Sequence, residues 1–152
     1  MKDETRKLSL DEALVGPKSH RGATLCQLSD ERPTLVVFLR HNGCAFCRET
    51  LHELSLRRSE IADRLHIAIV LMGKSMDARL LAERYGLEDV HRFVDPECQL
   101  HDAFSVPRGD LYHVIGPHVW WRGLLAAVFR GHGIGRISGD VLRLPGAFVI
   151  HN

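Results

Sequence analysis

The sequence predicts an α/β protein, one sheet with helices on both of its faces. Three observations carry that expectation. Two apolar, β-branched runs, "PTLVVFLR" at 33–40 and "LHIAIVLMG" at 65–73, have the pattern of strands buried on both sides. A stretch with helical spacing of apolar residues follows each run. The strand–helix alternation then continues to the end of the chain, as a layered α/β sheet requires.

Taken in order, residues 1 to about 20 read as a lead-in with one short helix around Leu8 to Leu14. "GATLCQLSD" at 22–30 reads as a short strand, and 33–40 as the first buried one. After Gly43 the period becomes helical: Cys47, Leu51 and Leu54 share one face, with Glu49, Glu53 and Arg57 outward. The strand at 65–73 leads to Ser75, a helix cap, and to a helix lined by Ala78, Leu81, Ala82 and Tyr85, with Gly86 at its end. "HRFVDP" at 91–96 gives a third strand, with Asp95 as the next N-cap and Pro96 as the first helical residue. Leu100, Ala103 and Phe104 form the buried side of that helix. A further helical stripe runs from Gly116 to Phe129, "GHGIGRISGD" at 131–140 is a glycine-rich loop, and "LPGAFVI" at 144–150 is a last strand opened by Pro145.

The 152 residues are the size of one domain, and a hydrophobic fraction of 45% suffices for a core. A formal net charge of +1 gives no footprint for nucleic acid. The N-terminal segment is charged and lacks the apolar stretch of a secretory signal. No apolar run approaches the roughly 20 residues that span a bilayer. The expected setting is the cytoplasm, with no membrane partner.

Four cysteines are present, Cys26, Cys44, Cys47 and Cys98. In a cytoplasmic chain of this size a close pair is catalytic or metal-binding more often than structural. "NGCAFC" puts Cys44 and Cys47 where a buried strand gives way to a helix, at the carboxyl end of the strand where α/β proteins place function. Backbone N–H groups and the dipole at a helix start favour a thiolate, and a thiol with an ordinary pKa of about 8.5 is lowered there. Cys44 sits at the tip, where a substrate reaches it. Cys47 lies one turn in, on the face of Leu51 and Leu54, and is expected to be more buried. Cys44 is thus the candidate nucleophile and Cys47 the resolving thiol, with Arg40 and His41 just upstream as a source of positive potential. Cys26 is expected to pack as a small hydrophobe, Cys98 to sit on an exposed helix start, and most of the ten histidines to lie on the surface. A structural zinc site would need about four ligands. There is no second CxxC, and the CxxH of Cys98 and His101 opens a different helix. The glycine-rich loop lacks the GK[ST] ending of a phosphate loop.

The segments "VVFLRHNGCAFCRETLHEL", "FVDPECQLHDAFSVPRG", "GPHVWWRG" and "LPGAFVIHN" together resemble the peroxiredoxin-like AhpC/TSA proteins, in particular the selenoprotein-L-related redox proteins. The resemblance spans residues 21–152, leaving 1–20 as the lead-in. It implies a thioredoxin-like fold, a central mixed sheet with helices on both faces, and a redox-active pair at Cys44 and Cys47. It implies that Pro145 is the cis-proline that opens the strand facing the dithiol and meets the substrate chain. No cofactor is implied. The partners implied are a thiol donor such as thioredoxin or glutathione and a peroxide or protein disulfide.

The chain departs from this pattern in three places. His41 and Val37 stand where peroxiredoxins carry the threonine or serine and the proline of their peroxide-binding motif. Phe38 stands six residues before Cys44, where thioredoxins hold a buried acid. The usual last hairpin strand and helix are missing after the strand at 144–150, so the final sheet edge is expected to be open, or covered by residues 1–20. An open edge invites a homodimer. Two alternatives remain beside the oxidoreductase: a metal-binding or metal-delivery module using Cys44, Cys47 and His41, and a non-catalytic scaffold.

Overall fold

A computed structural model describes residues 7–40, 45–107 and 145–151. The central strand is β1 (Thr34–Leu39), which is apolar after Thr34, whose hydroxyl donates to the Arg32 carbonyl at 3.1 Å. It pairs in parallel with β2 (His66–Leu71), which pairs in parallel with β3 (His91–Val94). On its other side β1 pairs antiparallel with β4 (Gly146–Ile150), giving the order β3-β2-β1-β4. The sheet is mixed, as the resemblance implies.

Alternate residues of β1 point to opposite layers. Val37 and Leu39 face α3 (Ala45–Leu56) and α5 (Ser75–Tyr85). Val36 and Phe38 face α1 (Leu10–Val15), α2 (Leu25–Glu31) and α6 (Gln99–Ala103). A short helix, α4 (Arg58–Ala62), joins α3 to β2. The expected stripe on α3 is buried: Cys47, Leu51 and Leu54 all lie in the layer under β1. Burying each leucine of such a stripe contributes about 1.5–3 kcal/mol. Gly86 ends α5 in the left-handed conformation, φ 63°, as its place in the sequence predicts.

Several sequence expectations are corrected. The segment at 22–30 is not a strand. Thr24 and Gln27 form a reciprocal capping box that starts α2, and Leu25 and Leu28 turn inward. Cys26 therefore sits on a helix, half-exposed, with its thiol 3.6 Å from an Asp30 oxygen, rather than packing as a small hydrophobe. Ser75 is the first residue of α5, and Lys74 holds the cap position. Asp95 is not the N-cap of α6. A turn separates them, and Cys98 takes the cap with φ 58°. The His20 N–H donates to the Arg92 carbonyl of β3 at 2.9 Å, at the sheet edge opposite β4. The expected helix at 116–129, with Trp120 and Trp121, and the loop at 131–140 lie outside the described residues. Among the described residues no helix is long and apolar enough to cross a membrane.

Candidate active site

The site is built where β1 ends. Its last residue, Leu39, is followed by Arg40, and the chain enters α3 at Ala45. Cys47 is the third residue of α3, so its sulfur lies in the first turn, at the positive end of the helix dipole. Only 1% of Cys47 is exposed. The Arg40 backbone N–H donates to Cys47 Sγ at 3.2 Å. The amide and the helix start favour a sulfur anion, whereas burial among Leu51 and Leu54 opposes it. The expected burial of Cys47 is thus observed. Cys44 and His41 lie outside the described residues.

Arg40 is buried, as is Arg48, which follows Cys47 in the helix. The two arginines thus stand on either side of the motif. Arg48 also acts on the half-buried Tyr85, whose hydroxyl pKa is raised by burial against the opposing pull of Arg48 and Arg84. Arg48 escaped the sequence reasoning, although "CAFCR" places it beside the motif. Pro145 is exposed and immediately precedes β4. Gly146 pairs with Phe38, so Pro145 lies by the carboxyl end of β1, the same end as Cys47. The Leu144–Pro145 peptide, whose cis form the resemblance implies, lies outside the described residues.

A second cluster was not anticipated. His101 is 0% exposed, whereas most of the ten histidines are expected at the surface. Its Nδ1 lies 2.7 Å from Asp95 Oδ2, and the same oxygen accepts the His101 backbone N–H at 2.9 Å. Asp95 therefore satisfies an N–H of the first turn of α6 from outside the helix. Burial alone would push the Asp95 carboxyl up. The His101 ring and backbone N–H groups outweigh it and hold the carboxyl below the usual carboxylate range. The other ring nitrogen, Nε2, lies 3.4 Å from the Leu39 carbonyl oxygen. Phe38 packs edge-on against the His101 ring with centroids 5.0 Å apart, and also contacts Phe104 and Phe148. Cys98, half-buried at the start of α6, directs its thiol to Met72 Sδ at 3.3 Å. Among the described residues no group of three or more His, Cys, Asp or Glu is placed to hold a metal ion.

Solved structures of known redox proteins share this arrangement of strands and helices. Peroxiredoxin Q of Xanthomonas campestris, in a variant with one cysteine replaced by serine, superposes with a TM-score of 0.59 over 70% of this chain and 70% of that one, at 14% identity. A secreted Mycobacterium tuberculosis disulfide oxidoreductase homologous to E. coli DsbE superposes with a TM-score of 0.53 over 64% of this chain and 72% of that one, at 15% identity. The chain has a thioredoxin-like fold. At these identities the likeness concerns the fold. No protein-family profile matches the sequence, and no curated protein matches it.

Proposed function

We propose that the chain is a thiol–disulfide oxidoreductase that works through Cys44 and Cys47. One observation carries the proposal: a cysteine sulfur, buried at the first turn of a helix, accepts a backbone N–H from the strand before it. A helix N-terminus and a CxxC setting both lower a thiol pKa, and an amide donor favours the thiolate further. The neighbouring folds belong to proteins named for disulfide and peroxide chemistry, which supports the same class.

The reaction proceeds in two displacements. The Cys44 thiolate attacks a substrate disulfide, forms a mixed disulfide and expels a substrate thiolate. The Cys47 thiolate then attacks the Cys44 sulfur, forms the Cys44–Cys47 bond and expels the second substrate thiol. The substrate gains two electrons and two protons, and a donor such as thioredoxin or glutathione restores the dithiol. Pro145, exposed at the same sheet end, presents backbone to the bound chain. Arg40 and His41 supply positive potential toward Cys44. Protein disulfides fit the site better than peroxides, because Val37 and His41 occupy the places where a peroxide-binding motif would lie. The setting we propose is cytoplasmic.

The test is replacement of each cysteine. Cys44→Ser abolishes exchange with an oxidised model protein, and Cys47→Ser accumulates mixed disulfides seen on a non-reducing gel. Wild-type exchange in both variants would refute the assignment.

A further inference from the structure

Phe38 stands where a thioredoxin-like site carries its buried acid, so the resolving thiol lacks the usual partner. The structure provides a different one. The Leu39 carbonyl and the Arg40 N–H belong to a single peptide group. His101 Nε2 meets the oxygen of that peptide at 3.4 Å, and its N–H meets Cys47 Sγ at 3.2 Å. Asp95 Oδ2 lies behind the imidazole at 2.7 Å. The four groups form a continuous chain, carboxylate to imidazole to peptide to sulfur, and every atom of it belongs to a buried residue.

We propose that Asp95 and His101 are positioning residues for Cys47, acting through the Leu39–Arg40 peptide to stabilise the Cys47 thiolate. The inference rests on the assignment of Cys47 as the resolving thiol. A carboxylate and a peptide carbonyl both only accept hydrogen bonds. A histidine between them serves the link only with a proton on Nε2, the nitrogen that faces the Leu39 carbonyl. Donation into the carbonyl polarises the peptide and strengthens its N–H as a donor, the cooperative effect of hydrogen bonds in series in a low dielectric. The low pKa of Asp95 fits the same arrangement, since an ionised carboxylate accepts hydrogen bonds from His101. The 3.4 Å contact is long for an N–H···O bond, so the effect on sulfur is a bias rather than a proton relay. The proton leaves Cys47 to solvent. The thiolate then forms the S–S bond to Cys44 as the substrate sulfur departs and takes up a proton.

Other charges bear on the two ends of the chain. Around Cys47 they are the buried Arg40 and Arg48, with Tyr85 of α5 beyond Arg48. Around His101, α6 carries Asp102 at the surface. α1, which packs on α6, carries the exposed Asp11 and also Glu12, which is engaged with the Ser9 N–H. β1 presents Phe38 and Leu39.

The experiment uses reduced full-length protein labelled with 13C at cysteine Cβ and with 15N throughout. The link requires a proton on His101 Nε2, which the ring 15N shifts of the wild type read directly. A bare Nε2 would overturn the proposal outright. In His101→Asn and Asp95→Asn, the Cys47 Cβ titration is expected to move up by roughly half a pH unit. His101→Gln, whose amide reaches the Leu39 carbonyl as Nε2 does, recovers part of that shift. Folded variants with a Cys47 midpoint equal to the wild type would also overturn it. If no variant folds, the ring-nitrogen result and the response of the Arg40 amide to Cys47 titration decide the matter. Disulfide exchange is measured separately with glutathione. A chain that keeps the link but exchanges nothing loses the functional assignment and not this one, and exchange without the link does the reverse.

Discussion

Removing the Asp95 carboxylate has a large, calculable consequence. Asp95 is 5% exposed and one of its oxygens takes two hydrogen bonds from His101, which is itself 0% exposed. Asp95→Ala leaves a buried imidazole and a first-turn N–H of α6 without their acceptor. Breaking such a buried pair costs about 3–5 kcal/mol. Asp95→Asn keeps the size and one acceptor oxygen but loses the charge, for a loss of about 1.5–3 kcal/mol, the worth of a charge-assisted hydrogen bond. Against a total of roughly 5–15 kcal/mol for a domain, the alanine variant is severely weakened. Urea unfolding near neutral pH reads both as lower midpoints with an unchanged slope. The sign with pH follows from the lowered Asp95 pKa. The stabilisation is complete above the ordinary carboxylate value of about 3.9 and is lost as pH falls through the folded value. The gap between wild type and Asp95→Asn therefore narrows in acid. An alanine variant within about 1 kcal/mol of wild type near neutral pH, or a gap that widens in acid, would refute this account of the pair.

Three further outcomes are expected. Phe38→Ala removes a 0% exposed ring packed against His101, Phe104 and Phe148, and should lower stability by about 3–5 kcal/mol in the same unfolding assay. Gly86→Ala should lose about 1–2 kcal/mol, because φ is 63° there. Nothing lies within 4 Å of the added Cβ, so Gly86→Asn, which tolerates that conformation, should lose less on a thermal melt. His20 and His91 both have lowered pKa values. At His91 burial leads, followed by the charges of Arg21, His66 and His20; at His20 burial leads, followed by Arg92 and Arg21. Their contribution is complete above the unfolded histidine value of about 6.5 and falls away as pH drops through the lower folded values. Denaturation at a series of pH values should show that decline, and His91→Gln should flatten it.

What the sequence disclosed, and what it hid, follow from the range of the forces involved. β1 and β2 are legible because continuous apolar, β-branched runs have few other uses. The inward face of α3 is legible because Cys47, Leu51 and Leu54 repeat at helical spacing. α2 reads as a strand in the sequence because its apolar residues are few, although Thr24 and Gln27, three apart, carry a capping box. Asp95–Pro96 has the composition of a helix start, but the chain makes one more turn first, and Cys98 takes the left-handed position. His101 could not be found at all. Its CxxH spacing with Cys98 points to metal. Its ring packs on Phe38 and its Nε2 faces the Leu39 carbonyl, both more than 60 positions away in the chain. The contact between Arg40 and Cys47 is likewise tertiary: spacing predicts that Cys47 turns inward, not which amide meets it.

The claim that Cys44 and Cys47 form a redox pair is tested most directly by titrating the full chain against glutathione. The state of each cysteine is read by differential alkylation and peptide mass spectrometry. The account predicts that Cys44 and Cys47 oxidise and reduce together as a two-electron couple with a single midpoint, while Cys26 and Cys98 stay reduced throughout. A pair that never oxidises, or oxidises only after a chelator is added, would contradict it.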